Sequence, residues 1–279
     1  MNVITLANEK GGVGKSTLAI HLAAGLAMAG QRVILVDADA QASATSALGF
    51  DEKPGLYDLL VREATFDEQL VKVEKETYAD MTINSAVSPD GVSPPPSTDK
   101  GELYLMPSNI EARNIANMLP DITTILERFG DLDGWADAVI FDTPPTPSLF
   151  HSAIYVATDY VIHPCVCESL SIEGLEKSMS RIKPIGAIRE ANGKPPTRTL
   201  GIIPTMFRGS TALHTYNLAQ LREKYGDLVK TEIPQRIAWS EATQLRMTVF
   251  AYNSKDSACQ DARTFVKEIT ESILHAQSR

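Results

Sequence analysis

The stretch Glu9-Lys10-Gly11-Gly12-Val13-Gly14-Lys15-Ser16-Thr17 limits what this chain can fold into more than any other. It follows the apolar, strand-like run Val3-Ile4-Thr5-Leu6-Ala7 and precedes Leu18 to Ala29, which reads as helix. Glycines let the backbone curl until successive N–H groups point at one anion. The positive end of the following helix faces the same place. Lys15 supplies a point charge suited to β and γ phosphates, and the Ser16 hydroxyl is suited to Mg2+. Strand, glycine loop and helix in that order predict a phosphate-binding loop for a nucleoside triphosphate. The rival reading is a glycine-rich turn that matches by accident.

Short apolar runs at residues 2–7, 32–37, 103–106, 137–142, 159–163, 199–205 and about 228–232 alternate with helical stretches. The alternation predicts an α/β fold, doubly wound around a mostly parallel sheet. Sheets of this kind hold ligands at the carboxyl ends of their strands. The glycine loop, Asp39 and Asp142 all follow strand ends, so the fold would bring them together. Each aspartate also reads as a strand-end turn residue or cap, and for Asp37 that reading stands level with a supporting place in the site. Lys10 is unusual, because the general phosphate-loop pattern requires no lysine there. In its own subunit it has little room to turn back, but across a two-fold axis it could reach a partner's nucleotide. Taken alone, such a residue reads more readily as a solvated loop lysine.

The run from Lys10 to Thr17 resembles the deviant Walker A motif of the ParA/MinD ATPases, and the chain looks most like the ParA, DNA-partition branch. Val33 to Gln41 is similar to that family's second strand and switch I. Val139-Ile140-Phe141-Asp142-Thr143-Pro144-Pro145 is similar to its Walker B strand and switch II. Gly201 to Met206, Ile233 to Arg236 and Ser240 to Ala242 fall in family order. The likeness covers nearly the whole chain except about residues 73 to 102.

The resemblance implies ATP/ADP and Mg2+ as cofactors and one P-loop ATPase domain over residues 1–279. Lys10, Lys15 and Asp39 would carry the reaction, Asp39 by aligning or activating water. Gly11, Gly12, Val13, Gly14, Lys15, Ser16, Thr17 and Gln41 would contact nucleotide, with Lys10 acting in trans. Ser16, Asp39 and Asp142 are the Mg2+ candidates. Pro234 and Arg236 match the segment that lines the base, with Arg236 where the family usually has Asn, and the sequence itself leaves GTP open. The family scheme is an ATP-loaded sandwich homodimer, slow hydrolysis and stimulation by a ParB-like activator. Relatives also bind duplex DNA without sequence preference, through phosphates. Here Gln235 and Ala238 replace the expected arginines, leaving Arg208, Arg236, Arg246, Lys255, Arg263 and Lys267 as weak DNA-contact candidates. The implied role is segregation of plasmid or chromosomal DNA. The same switch moving a protein compartment or a membrane-associated cargo is the alternative, and an iron–sulfur carrier ATPase is a third.

Composition sets outer bounds. The chain has 279 residues and is 43% apolar, enough for one large core or two small ones. Its net charge of −9 means nucleic-acid binding requires a local patch. Residues 198–279 hold 11 Lys/Arg and 8 Asp/Glu, against 15 and 27 in residues 1–197, so basic side chains gather in the last third. With three cysteines, and starting on a strand, the chain is expected to be cytoplasmic and nucleoid-associated, with no signal peptide and no preceding DNA-binding domain. No apolar run approaches the ~20 residues of a membrane span.

Three smaller features complete the reading. Residues 84–101, with Pro94-Pro95-Pro96, predict a flexible surface insertion. Phe265, Val266, Ile269 and Ile273 share one face of a helix over 258–276, whose mixed-charge polar face favours packing on the sheet over membrane binding. Cys165 and Cys167 alternate on one strand face but lack cluster-binding spacing, and with Cys259 and His163 they read as buried structural residues.

Overall fold

The computed structural model describes residues 1–80 and 101–278. The insertion expected at 84–101 therefore lies outside the described residues, apart from Gly101, where an added Cβ would run into the Ala27 carbonyl.

Among the described residues, seven strands form one sheet: β1 (Asn2–Leu6), β2 (Arg32–Asp37), β3 (Val71–Val73), β4 (Glu102–Met106), β5 (Ala138–Asp142), β6 (Tyr160–Val166) and β7 (Arg198–Thr205). Their order is β3-β4-β2-β5-β1-β6-β7, and every neighbouring pair is parallel except β3–β4. The antiparallel edge strand β3 escaped the sequence reading, because three residues are too few to show a period. The strand expected at about 228–232 is not one. It runs beside β7 through a single bridge between Ile202 and Val229, and Pro234 just beyond has no N–H to extend a ladder.

The helices that frame the site are α1 (Lys15–Met28), α2 (Leu149–Ala157), α3 (Ser169–Ile182), α4 (Ala212–Tyr225), α5 (Ile237–Gln244), α6 (Val249–Tyr252) and α7 (Ser257–Gln277). Both sheet faces are covered, so the central strands are apolar on both sides. Ile4, Leu6, Val33, Leu35 and Ile140 pack toward α1 and α7, whereas Val3, Ile34, Val36, Val139 and Phe141 enter a second cluster that includes α2.

Helix α1 is apolar nearly all round, with Leu18 through Ala27 buried, as a helix between a sheet and another helix must be. Gly25 permits the close approach of α7: a Cβ there would meet Val266 Cγ2 at 2.6 Å. Phe265, Ile269 and Ile273 are buried and Val266 packs beside them, so the C-terminal helix covers the core. Among the described residues, no helix is long and apolar enough to cross a membrane.

Candidate functional site

The chain leaves β1 into the glycine loop, where Gly12 (φ 72°) and Gly14 (φ 88°) occupy the left-handed region that glycine adopts without steric cost. Helix α1 starts at Lys15 rather than Leu18, with no capping side chain. Its first-turn N–H groups thus remain available to an anion. Lys15 is buried, and its Nζ donates to the carbonyls of Asn8 at 3.1 Å and Lys10 at 3.2 Å. Burial lowers its pKa, while the charges of Asp142 and Asp39 oppose that shift. Lys10 is exposed and forms no ion pair among the described residues.

Two side chains hold this loop that sequence reasoning did not find. Asn8 Nδ2 donates to the Pro164 carbonyl at 2.8 Å and the Ser171 carbonyl at 3.3 Å, while its Oδ1 accepts the Lys10 N–H at 2.9 Å. Thr205, at the end of β7, donates its hydroxyl to the Val13 carbonyl at 2.9 Å. The loop is therefore pinned to β6, α3 and β7 at once.

The acids arrive by register. Asp37 and Asp142 are direct partners across β2 and β5, and Leu6 of β1 is the other neighbour of Asp142. Both carboxylates are fully buried. Asp37 accepts from Thr45 N and Thr45 Oγ, each at 2.8 Å, and from Asp39 N at 3.2 Å. Burial still pushes its pKa up to about 6. These bonds make Asp37 the structural support of the turn.

Asp142 differs. Among the described residues, neither of its oxygens meets a donor at hydrogen-bond geometry. Burial and then the neighbouring Asp37 push it up to about 8, against the pull of the nearby Ser16 hydroxyl and Lys15. Asp39 is partly exposed and accepts the Gln41 N–H at 2.9 Å. An orphaned buried carboxylate beside a serine hydroxyl is a set of hard oxygen donors and fits Mg2+.

Backbone bonds from Ile233 N to Pro204 O (2.7 Å) and from Gln235 N to Phe207 O (3.1 Å) lay Pro234 beside Phe207, two residues past Thr205. Arg236 is not free there: its Nε and Nη2 reach Asp261 at 2.5 and 3.3 Å, which raises its pKa. Among the other basic candidates, Arg208 pairs with Glu168 at 3.3 Å and Lys267 with Glu271 at 4.0 Å. Arg246, Lys255 and Arg263 have no acidic partner at ion-pair distance among the described residues.

Cys165, Cys167 and Cys259 are buried free thiols. Burial raises all three pKa values, to about 12 for Cys165 and about 11 for Cys167. Cys259 packs in the α1–α7 core, apart from the other two. His163 sits in β6 with Nδ1 bonded to the Ala7 carbonyl at 2.8 Å, and burial drives its pKa down to about 4. A further buried histidine went unread in the sequence. His21 Nδ1 donates to the Thr17 carbonyl at 2.6 Å and Nε2 accepts the Val249 N–H at 3.0 Å, tying the loop helix to α6.

An AAA-domain family model matches residues 1–192. The chain is 31% identical over 275 residues to the chromosome-partitioning ATPase Soj of Thermus thermophilus, covering 98% of this chain and 97% of that one. Its fold is similar to apo McdA of Cyanothece (TM-score 0.77, 18% identity, 98% and 99% of the two chains). It is also similar to the septum site-determining protein MinD of Pyrococcus horikoshii complexed with Mg-ADP (TM-score 0.69, 19% identity, 99% and 97%). With the glycine loop, the paired strand-end acids and this full-length likeness together, the chain belongs to the ParA/MinD family of P-loop ATPases.

Proposed function

We propose that this chain is a partition ATPase whose nucleotide state switches it between a monomer and an ATP-loaded sandwich dimer. The observation that carries the reading is Asp142: a fully buried carboxylate without a partner, beside Ser16 and the loop lysine. A fold does not keep such a group for stability. Ser16 and Asp142 are the residues that would hold Mg2+, with Asp39 nearby. The bound ion would neutralise charge on the phosphate oxygens.

The chain's own groups account for the rest. The N–H groups from Gly11 to Thr17 cradle the β and γ phosphates, and Lys15 neutralises them in cis. Asp39 orients the attacking water. Gln41 and Pro234 contact nucleotide, and Arg236 does so only by leaving Asp261. Lys10 enters the partner's site. Exposed apolar side chains stand at the starts of the helices that follow β5, β6 and β7, with Leu149 49%, Leu170 65%, Leu213 52% and Tyr216 63% exposed. They lie on the same edge of the sheet as the loop, so a second copy facing that edge would bury them.

In this scheme hydrolysis is slow and a ParB-like activator accelerates it, as suits a switch. The ATP dimer binds duplex DNA weakly, and the protein works in the cytoplasm on the nucleoid to segregate plasmid or chromosomal DNA. A protein cargo is the second reading. It is favoured by the pairing of Arg208, Arg236 and Lys267 with acids, which reduces the cations available to phosphates. Phosphate release from Mg-ATP tests the reading: wild type turns over, whereas Asp39→Ala binds ATP and stalls. Equal turnover in that variant would remove Asp39 from the reaction. A DNA shift seen with ATP and absent with ADP separates use of the nucleoid from use of a membrane surface, and a pull-down identifies the cargo.

A further inference from the structure

Three consecutive residues of the loop touch helix α3. Asn8 donates to the Ser171 carbonyl at 3.3 Å, Glu9 pairs with Arg181, and Lys10 lies over Gly174. The helix offers a stripe of small buried residues here, Ser171, Gly174 and Ser178. At the middle of that stripe there is no room for a side chain. A Cβ on Gly174 would stand 2.5 Å from Asn8 Oδ1, 3.0 Å from Lys10 N and 3.2 Å from Lys10 Cβ.

The Asn8 amide could not yield freely. Its Nδ2 is held by the Pro164 and Ser171 carbonyls, and its Oδ1 holds the Lys10 N–H. A methyl at position 174 would therefore break the Asn8–Lys10 bond and swing the backbone that carries Lys10. The phosphate-facing part of the loop has separate anchors, the Thr205–Val13 bond and the start of α1. Disturbing Gly174 thus moves Lys10 first, and it reaches the cis site only through the Lys15 Nζ bonds to the Asn8 and Lys10 carbonyls, which that lysine gives up for phosphate.

We propose that Gly174 is a positioning residue for Lys10: the bare backbone of α3 sets where this lysine leaves the loop. The consequence for assembly rests on the reading that Lys10 acts in trans. Alanine is the better helix former, so Gly174→Ala keeps the helix. The test compares wild type, Gly174→Ala, Lys10→Ala and the double variant. Losing the carbonyl that fixes one backbone N–H makes the Lys10 amide of ADP-bound Gly174→Ala exchange hydrogen about tenfold faster, and the ATP dimer about tenfold weaker. ADP affinity of the monomer stays within about twofold of wild type, since the Val13 anchor and the start of α1 are untouched. In the Lys10→Ala background, Gly174→Ala adds nothing further to dimer loss.

Unchanged exchange at the Lys10 amide overturns the proposal. So does a Gly174→Ala ATP dimer as tight as wild type where Lys10→Ala abolishes the dimer. If Lys10→Ala alone dimerises normally, the trans reading fails, while the amide exchange still decides the positioning by Gly174. Should Gly174→Ala fail to fold, Asn8→Ala removes the same acceptor without adding atoms and is expected to loosen the same amide. A protected Lys10 amide there counts against the proposal.

Discussion

Replacing Asp142 with asparagine should make the nucleotide-free protein more stable and inactive. The carboxyl is fully buried, unpartnered and raised from 3.8 to about 8, with burial the first cause and Asp37 the second. A folded pKa above the unfolded one gives stability that is complete below pH 3.8 and is lost as pH rises through about 8. At about pH 7 the linkage gives a ceiling of roughly 4 kcal/mol, from about 1.4 kcal/mol for each pH step above the unfolded pKa. Part of this belongs to the Asp37 pair and part relaxes with solvent, so about 2 kcal/mol is the expected gain. Asparagine cannot ionise, and its advantage should vanish near pH 4 and grow toward pH 8. Urea unfolding of both proteins without Mg2+ or nucleotide at the two pH values measures the difference. Mg-ATP turnover should fall by about 100-fold or more, as expected for losing a metal ligand. A wild type as stable as the variant near pH 8 would refute the claim that function holds an unfavourable acid here.

Other consequences are simpler to read out. Burial lowers the His21 pKa from 6.5 to about 4, so its neutral, two-bond form stabilises fully above pH 6.5 and is lost as pH falls toward 4. His21→Gln should cost about 2 kcal/mol at neutral pH, and the gap from wild type in urea unfolding should narrow through that window. Ile269 of α7 is fully buried, and Ile269→Ala should lower unfolding stability by about 3 kcal/mol through the cavity it leaves. In ATP-dependent DNA binding, jointly replacing Arg246, Lys255 and Arg263 with alanine should reduce the slope of log affinity against log salt by about one for each phosphate left without its cation. A filter-binding titration at several salt concentrations checks it, and an unchanged slope would place the DNA on other side chains.

The sequence made the site legible where chemistry needs particular residue types in a local run. The glycine loop, Lys15 and Ser16 declare themselves, and Asp142 follows from an apolar strand ending in an acid. What stayed hidden is tertiary. Asn8 holds the loop only because β6 and α3 bring the Pro164 and Ser171 carbonyls beside it, a separation of more than 150 residues. Gly174 looks like any helix glycine until the loop is laid over it. Thr205 ends a strand as many threonines do, and its bond to Val13 appears only when β7 sits near β1. Nothing in the local sequence says that Asp261, on α7, faces Arg236. The 228–232 run had strand-like composition, but it met β7 at one bridge only.

Two copies should close around triphosphate, each sending Lys10 into the other's site. Sedimentation of Asp39→Ala, with and without Lys10→Ala, in saturating Mg-ATP or ADP tests it most directly. The single variant should be a dimer with ATP and a monomer with ADP, and the double variant a monomer in both while still binding ADP. An ATP dimer that survives the loss of Lys10, or an Asp39→Ala protein that stays monomeric with ATP, would contradict the account.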